Sequence, residues 1–327
     1  MDTPACIRPA RRQILALALG ALALPMASAQ DYPSRPVRIV VPFAAGGPAD
    51  NYARFVAQRL KDALKQPFVV ENRPGAGSVI GTDAVAKAAP DGYTLLMMSN
   101  TQTVNESLIP NKPYALMQDF VGIAPVNYSN LVLAVHPSVP VKNVAELVAL
   151  AKAQPGKLNY ASSGNGTPYH MAGELFKHMA GVDIAHVPYK GSSGARTDLI
   201  GGQVQMMFDA ETTMAGFARE NKVRGIASSG LVRSPNLPDM PTVAETVPGF
   251  EATIWLGLMA PRATPAAVVE KLNAELRRIV AQPEVRSTWA QQGAVPMSMN
   301  VAEFDKHLRS DIDKWARIIK VSGTKPD

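Results

Sequence analysis

Residues 37–50 (VRIVVPFAAGGPAD) give the clearest indication of the fold class, because they join a strand, a glycine-rich loop and the start of a helix. Residues 37–41 are mostly apolar and end at Pro42, which predicts a buried strand. Residues 49–64 carry apolar side chains at helical spacing. Pro48 stands just ahead of them, where a helix does not need the missing N–H. A strand that leads directly into a helix is typical of a parallel sheet covered by helices.

The same alternation continues along the chain. A strand at residues 68–70, a helix at 79–87 and a strand at 93–98 complete a βαβαβ unit. Five further strands are predicted at residues 131–135, 158–160, 184–187, 204–208 and 223–227. Helices are predicted between them at residues 144–153, 168–179, 195–200 and 212–220. A last strand and three amphipathic helices are predicted at residues 254–259, 265–281, 283–292 and 301–321.

This pattern makes two similar α/β halves, and the chain crosses between them near residues 125–131 and 245–253. We therefore predict a first domain of residues 30–128 and 249–327, and a second domain of residues 129–248. Two crossings predict a hinge of two paired strands, which lets the domains close around a ligand in the cleft between them.

The first 29 residues differ in character from the rest. Three arginines precede an apolar run at residues 14–24, and a small-x-small site ends at Ala29. This pattern predicts a secretory signal peptide, residues 1–29, cut after Ala29, and the run is too short to span a bilayer. The one cysteine of the chain, Cys6, belongs to this segment. The mature protein is therefore predicted to have no disulfide, thiol nucleophile or thiolate metal ligand.

Composition places the chain among globular proteins, since 46% of its 327 residues are hydrophobic and 18% are charged. The formal net charge is +6, but the basic residues are scattered. The densest basic cluster outside the signal segment is Arg277-Arg278, and no basic run alternates with aromatic residues. The sequence therefore predicts no interface for nucleic acid.

Three loops rich in glycine, serine or both each lead into a predicted helix: residues 42–50, 162–168 and 189–194. Free backbone N–H groups at such helix starts, together with the helix dipole, attract anions. Ordinary turns and caps have the same composition, and one loop of this kind would be weak support for a site. Two of them from opposite halves of the chain, facing one cleft, favour a site for a carboxylate or a phosphate.

Two further patterns are weaker. Residues 75–81 read G-x-G-x-x-x-G after a strand, but the next strand lacks the acidic residue that holds a ribose, so no nucleotide cofactor is predicted. His170, Glu174 and His178 share one helix face. The two imidazoles lie about 12 Å apart along the helix axis, too far for one ion, so no metal site is predicted.

Asp50 and Asp209 are candidate paired carboxylates for acid–base chemistry. The alternative role is electrostatic support of a helix end for Asp50 and a loop hydrogen bond for Asp209. The sequence has no nucleophile elbow and no nucleophile paired with a base, so no catalytic residue is predicted. An exported hydrolase that uses one of these aspartates with water stays open as an alternative.

Seven segments, in this order, resemble one known family: residues 32–36 (YPSRP), 40–47 (VVPFAAGG), 71–77 (ENRPGAG), 90–96 (PDGYTLL), 158–167 (LNYASSGNGT), 186–191 (HVPYKG) and 238–243 (PDMPTV). The family is that of the solute receptors of tripartite tricarboxylate transporters, the Bug/TctC family. The likeness covers essentially the whole chain after the signal segment, which makes it more specific than any single motif.

The resemblance implies an α/β fold of the periplasmic binding protein type II kind, with two α/β domains joined by a two-strand hinge around a ligand cleft. Members of the family bind small carboxylates, among them di- and tricarboxylates, acidic amino acids and aromatic acids. Backbone N–H groups, hydroxyls and ordered water from the first two loops hold the carboxylate. The positions in this sequence that match are Phe43, Ala45, Gly46, Gly47, Asp50, Ser162, Gly164, Asn165, Thr167, His170 and Asp209.

Two positions depart from the family pattern. Ala49 stands where a hydroxyl residue often precedes Asp50, which removes one hydrogen-bond donor. Ala210 follows Asp209 where asparagine is common. Both departures concern the identity of the ligand more than its class.

The resemblance implies a periplasmic receptor that is not an enzyme, has no cofactor, works as a monomer and passes an organic acid to the membrane permease subunits of a tripartite tricarboxylate transporter. A sensor of the same fold, which would pass the signal to another membrane partner, is the alternative.

Overall fold

The structure, a computed structural model, describes residues 32–326, and the predicted signal peptide, residues 1–29, lies outside them. The strands of the described part are β1 (Val37–Val41), β2 (Phe68–Asn72), β3 (Thr94–Ser99), β4 (Phe120–Val135), β5 (Asn159–Ser162), β6 (Ala185–Pro188), β7 (Met206–Ala210), β8 (Arg224–Ser228), β9 (Thr253–Pro261) and β10 (Ala294–Pro296). The helices are α1 (Pro48–Leu64), α2 (Val79–Ala86), α3 (Asn100–Leu108), α4 (Leu116–Asp119), α5 (Val144–Ala153), α6 (Pro168–Ala180), α7 (Ser192–Ile200), α8 (Glu211–Arg219), α9 (Ala266–Ala281), α10 (Pro283–Gln292) and α11 (Val301–Ser322).

The strands form one hydrogen-bonded series in the order β2-β1-β3-β9-β4-β7-β5-β6, and β8 and β10 pair with β4 beside this path. At one end β1, β2 and β3 are parallel, and β9 runs antiparallel to both β3 and β4. At the other end β5, β6 and β7 are parallel, and β7 and β8 run antiparallel to β4. Each half is therefore a parallel βα unit joined to the long strand β4, which confirms the predicted α/β class.

Strand β4 belongs to both halves of the sheet. Its residues 120–130 pair with β9, whereas residues 131–135 pair with β7 and β8. The chain returns at the start of β9, where Thr253 lies opposite Asn130. Two antiparallel strands therefore meet where the chain crosses, as the sequence predicted.

Ser229, which is fully buried, fastens this crossing. Its Oγ accepts a hydrogen bond from the Leu131 N–H at 2.7 Å and donates to the Ala252 carbonyl at 2.5 Å. Its backbone N–H donates to the Leu131 carbonyl, and its carbonyl accepts from the Ala252 N–H. One side chain thus satisfies backbone groups of both crossing segments, which buried backbone requires.

Each half of the sheet has its own apolar cluster. The first packs Leu96, Phe120, Trp255 and Phe304 between the first sheet and α11. The second packs residues of β4, β5, β7 and α7 around Met207. Within residues 32–326, no helix is long and apolar enough to cross a membrane.

The predicted strands and helices are observed with small shifts at their ends, but α3, α4 and β10 were not predicted, and β4 extends further than residues 131–135. Helix α3 escapes an analysis of apolar periodicity because the side it buries is largely polar. Its buried residues include Asn100, Thr101, Gln102 and Asn105. Strand β10 has only three residues and ends in Pro296, which gives no periodic signal.

Candidate functional site

Loop A, residues 42–50, leads from β1 into α1 and forms one wall of a cleft. Asp50 fixes its shape. The carboxylate accepts hydrogen bonds from the Gly46 N–H at 3.0 Å, from Arg54 Nε at 3.1 Å and from Asn72 Nδ2 at 3.0 Å. Arg54 Nη2 lies 2.9 Å from Asp50 Oδ1, whereas Arg54 Nε and the Gly46 N–H bind Oδ2. Both oxygens of this carboxylate therefore have partners within the protein.

Asp50 is ionised in this setting. Burial alone would raise its pKa, but the hydrogen bonds from Arg54, the Gly46 N–H and Asn72 outweigh burial, so the pKa of Asp50 is lowered. The geometry gives Asp50 the task of orienting loop A, and a direct contact with a ligand stays a prediction.

Loop B, residues 162–168, leads from β5 into α6 and is held by its own polar side chains. The Ser162 Oγ accepts from the Gly164 N–H at 3.0 Å. The Thr167 Oγ1 donates to the Gly164 carbonyl at 2.7 Å and caps α6 by accepting from the His170 N–H at 3.4 Å. Ser162 and Thr167 therefore shape the loop from within.

His170 is buried beneath loop B. Its Nδ1 accepts a hydrogen bond from the Gly166 N–H at 3.2 Å, and its ring stacks on His186 with 4.2 Å between the centroids. The His186 Nε2 lies 2.6 Å from the Ser162 Oγ. The two imidazoles brace the loop, and His178, which is not fully buried, lies two turns further along α6.

Loop C, residues 189–194, lies against loop A and forms the opposite wall of the cleft. The Ala44 N–H donates to the Lys190 carbonyl at 3.1 Å. The Ser193 Oγ donates to the Ala45 carbonyl at 3.0 Å. The two walls therefore touch, and the cleft between them is closed in this structure.

Arg196, in α7, adds a third link between the walls. Its Nη2 donates to the Gly46 carbonyl at 2.8 Å, and its Nη1 donates to Asp209 Oδ2 at 2.6 Å. Asp209 is fully buried and also accepts from the Ala210 N–H at 2.9 Å and from Thr213 Oγ1 at 3.1 Å. Burial raises the pKa of Asp209, and Arg196 opposes that rise.

A small inner pocket lies between the loops, with a cavity volume of about 20 Å³, and it is partly open to solvent. Its lining residues are Phe43, Ala44, Gly47, Pro48, Ala49, Ser99, Ser163, Pro168, Tyr169, Ser192 and Ile254. None of these side chains is ionised at neutral pH. Their polar groups are three serine hydroxyls and the Tyr169 hydroxyl, and the rest of the lining is apolar or backbone.

Four helices begin at the inner pocket. Gly47 is the N-cap of α1, Ser99 is the N-cap of α3, Pro168 is the first residue of α6 and Ser192 is the first residue of α7. Each helix has at least nine residues. Their positive dipole ends therefore converge on one small, largely apolar space, which favours an anion without a cationic side chain.

A second pocket, with a cavity volume of about 170 Å³, adjoins the first and shares Phe43 and Ser163 with it. Its other lining residues are Pro42, Gly75, Ala76, Gly77, Ser78, Gly164, Asn165, Pro188, Tyr189 and Lys190. The walls approach closely here, since a Cβ placed on Gly77 would lie 2.7 Å from the Asn165 carbonyl oxygen. Lys190 is exposed, so this outer pocket, unlike the inner one, has a cation at its edge.

The predicted site residues fall into three groups. Phe43 and Gly47 line the inner pocket, and Gly164 and Asn165 line the outer one. Seven others line neither pocket and instead support the loops: Ala45, Gly46, Asp50, Ser162, Thr167, His170 and Asp209. Sequence reasoning missed Ser99, Ser163, Tyr169, Ser192 and Ile254 as lining residues, although Ser163 and Ser192 lie in loops that it identified.

The hydroxyls of the inner pocket differ in what they already bind. Among residues 32–326, the Ser163 side chain makes no hydrogen bond, and Ser192 Oγ accepts one from Arg196 Nη1 at 3.2 Å. The buried Tyr169 hydroxyl lies near Asp209 without a well-formed hydrogen bond. Burial, with Asp209 nearby, raises the pKa of Tyr169 well above its usual value, so Tyr169 is a neutral donor.

In the part of the chain that the structure describes, no group of three His, Cys, Asp or Glu side chains could hold a metal ion. Asp50 and Asp209, the candidate acid–base pair, both have arginine partners. The arrangement can bind an anion, and it has no free carboxylate at the inner pocket.

Comparison with known proteins agrees with this geometry. The model of the tripartite tricarboxylate transporter family receptor, TctC, matches residues 52–324. Protein BugT of Bordetella pertussis is 37% identical over 312 residues, which cover 94% of this chain and 95% of BugT. These two matches confirm the resemblance found in the sequence.

Two solved structures share the fold. R. palustris Rpa4515 with adipate matches with a TM-score of 0.88 at 33% identity, over 90% of this chain and 100% of that one. MatC (Rpa3494) from Rhodopseudomonas palustris with bound malate matches with a TM-score of 0.84 at 32% identity, over 88% of this chain and 100% of that one. The chain therefore belongs to the TctC family of tripartite tricarboxylate transporter receptors, a family of solute receptors and not of enzymes.

Proposed function

We propose that this protein is a periplasmic receptor that binds a small organic carboxylate in the inner pocket and delivers it to a tripartite tricarboxylate permease. The observation that carries the proposal is the convergence of four helix N-termini on a pocket without an ionised side chain. Such a pocket attracts an anion. It also leaves no buried cation unpaired when the pocket is empty.

A carboxylate in this pocket would accept hydrogen bonds from the Ser163 and Ser192 hydroxyls and from backbone N–H groups of loops A and B. Hydrogen bonds to an ionised acceptor are stronger than those between neutral groups, and several of them replace the lost hydration. In this proposal Phe43 and Gly47 touch the ligand, and Asp50, Thr167 and His170 hold the loops that supply the donors.

The apolar part of the lining indicates what lies behind the carboxylate. Phe43, Ala49 and Ile254 offer no hydrogen bond from their side chains. A second carboxylate buried against them would lose its hydration without replacement. We therefore propose a ligand with one carboxylate in the inner pocket, an apolar middle and any second polar end near Lys190. Adipate, which accompanies Rpa4515, has this shape, and malate, which is bound to MatC, is the shorter alternative.

Delivery requires opening and closing of the cleft. We propose that the domains are residues 30–128 with 249–327 and residues 129–248, that β4 and β9 form the hinge, and that the monomer is the working unit. Loss of uptake after deletion of the gene would support delivery. Normal uptake with loss of induction would instead favour the sensor.

We also propose export through the signal peptide, with cleavage after Ala29, which N-terminal sequencing of the mature protein would test.

The first experiment is a thermal-shift screen of protein that has been unfolded and refolded to remove any bound solute. The panel contains mono-, di- and tricarboxylates and aromatic acids at millimolar concentration. A ligand present at 1,000 times its Kd adds about 4 kcal/mol to the stability. For about 300 residues this raises Tm by roughly 6–7 °C. A flat panel would reject the proposed ligand class.

Two serine variants test the site with the acid that gives the largest shift. Ser163→Ala and Ser192→Ala each remove one donor to the carboxylate, and each should weaken binding about tenfold or more in calorimetry. Ser287→Ala is the matched control, because Ser287 is exposed and lies outside the inner pocket. Unchanged affinity in both pocket variants would place the ligand elsewhere.

A further inference from the structure

Arg196 lies where the two walls of the cleft meet, although it does not line the inner pocket. Only 7% of the residue is exposed. Its guanidinium reaches three groups: Asp209 behind it, the Gly46 carbonyl of loop A and the Ser192 Oγ beside the pocket. Asp209 and Ser192 belong to the same half of the sheet as Arg196, whereas Gly46 belongs to the other half. The guanidinium therefore makes one of the contacts that hold the cleft closed.

The bond to Ser192 determines what that hydroxyl can do. A hydroxyl has one proton to donate, and here Ser192 Oγ accepts from Arg196 Nη1, a group that can only donate. The Ser192 proton therefore points away from Arg196. Because Ser192 lines the inner pocket and makes no other side-chain hydrogen bond among the described residues, its proton is available to a ligand.

Loop A restricts Ser192 further. A Cβ placed on Gly47 would lie 3.0 Å from the Ser192 Oγ, so the hydroxyl sits directly against the loop A backbone. When the loops separate, Arg196 loses the Gly46 carbonyl and Ser192 loses this neighbour. Arg196 and Ser192 therefore make contacts that exist only when the cleft is closed, and Ser192 also offers a hydrogen-bond donor to the pocket.

We propose that Arg196 is a positioning residue that couples closure of the cleft to ligand capture, by binding the Gly46 carbonyl and directing the Ser192 hydroxyl proton into the inner pocket. This inference rests on the proposed function as a carboxylate receptor. It adds a specificity rule: the pocket end at Ser192 accepts a ligand atom that is a hydrogen-bond acceptor, such as a carboxylate oxygen, and disfavours the NH₂ of a carboxamide.

The test compares the wild type with four variants. They are the paired variant Arg196→Met/Asp209→Asn, the single variants Arg196→Lys and Ser192→Ala, and the paired variant with Ser192→Ala added. The paired substitution avoids leaving a buried carboxylate without a partner, which would confuse binding with folding. Probes are adipate, malate and the acid with the largest thermal shift, together with the monoamide of the best binder. Calorimetry gives Kd, and small-angle X-ray scattering gives the radius of gyration with and without the probe.

The expected result is that Arg196→Met/Asp209→Asn weakens binding about tenfold or more, as loss of a charged hydrogen bond predicts. Adding Ser192→Ala should then change Kd by less than about threefold, because Arg196 acts through Ser192. The ligand-free variant should have a larger radius of gyration than the wild type, and Arg196→Lys should recover part of the affinity. The wild type should prefer the acid over its monoamide more strongly than the paired variant does.

Two results overturn the proposal in distinguishable ways. If the wild type binds an acid and the paired variant binds it within twofold, or if the effects of Arg196 and Ser192 are additive, the role of Arg196 is wrong and the receptor function stands. If the wild type binds no acid of the panel, the proposed function fails and the role of Arg196 in ligand capture fails with it.

Discussion

Asp50 and Asp209 lie in opposite halves of the sheet, and both were predicted to bind the ligand, although neither lines a pocket of the cleft. Within the protein each binds an arginine, a backbone N–H and one further polar side chain. The arginines differ. Arg54 lies one turn along the helix of Asp50, and 55% of its side chain is exposed. Arg196 comes from another element, has only 8% of its side chain exposed and reaches across the cleft.

This difference separates a local role from a long-range one. Asp50 fixes the loop in which it lies, and its contacts, which include Asn72 of β2, stay within its own half of the sheet. Asp209 holds an arginine that touches the other wall, so its effect extends to closure of the cleft. The two carboxylates differ in where their arginine partners point and in the direction in which the pKa is shifted.

The largest expected effect is on the buried pair. Arg196→Met should lower the free energy of unfolding by about 3–5 kcal/mol, because it leaves the Asp209 carboxylate buried without its cation. Urea denaturation measures this loss. The double variant Arg196→Met/Asp209→Asn should recover at least half of it. A loss below about 1 kcal/mol in the single variant would mean that the pair is as weak as a surface one.

Asp50→Ala comes next. It leaves the Gly46 N–H without its acceptor, removes one of the two acceptors of Asn72 Nδ2, and should cost about 1–3 kcal/mol in urea denaturation. Loop A would lose its shape, so affinity for the bound acid should fall as well. Asp62→Ala, on the exposed side of the same helix, is the matched control. Equal affinity for wild type and Asp50→Ala would show that loop A keeps its shape without this carboxylate.

The two aspartates should also respond to pH with opposite signs. The pKa of Asp50 is lowered from 3.8, so its contribution to stability is complete above that pH and is lost as the pH falls through the lowered pKa. The pKa of Asp209 is raised from 3.8, so its contribution is complete below that pH and declines as the pH rises through the raised pKa.

Chemical denaturation at a series of pH values, from about pH 3 to pH 7, measures this contrast against the asparagine variants. On acidification the stability advantage of the wild type over Asp50→Asn should shrink, while its advantage over Asp209→Asn should grow. If the stability of Asp50→Asn and that of Asp209→Asn changed with pH in the same way, the predicted difference in pKa shift between the two aspartates would be wrong.

The smallest expected effect is at Arg54. Because this side chain is half exposed, Arg54→Ala should cost less than about 1 kcal/mol. The loss should decrease further at about 1 M salt, where exposed charges are screened within a few ångströms. Urea denaturation at low and high salt measures both. A loss as large as that of Arg196→Met would contradict the contrast between a local and a long-range pair.

Much of the fold follows from local patterns. Strand β1 and helix α1 were predictable because Val37 to Val41 are mostly apolar and α1 buries Tyr52, Val56 and Leu60 at helical spacing. Helix α3 was not, because it buries amide and hydroxyl side chains whose partners come from elsewhere. Gln102, for example, donates to Ser78 and Thr82. In the sequence, a buried polar helix face has the same pattern as an exposed one, and only its partners in the fold distinguish the two.

The α/β class, the two crossings of the chain and the glycine-rich loops at helix starts could be predicted from the amino-acid sequence, because each depends on residues close together along the chain. The groups that line the pocket could be identified only in the folded chain. Ser99, Ser163 and Ser192 come from three loops or caps and meet because four helices begin at one point. The bonds of Arg196 to Asp209 and to the Gly46 carbonyl could also be identified only in the folded chain, because they join residues that are far apart in the sequence.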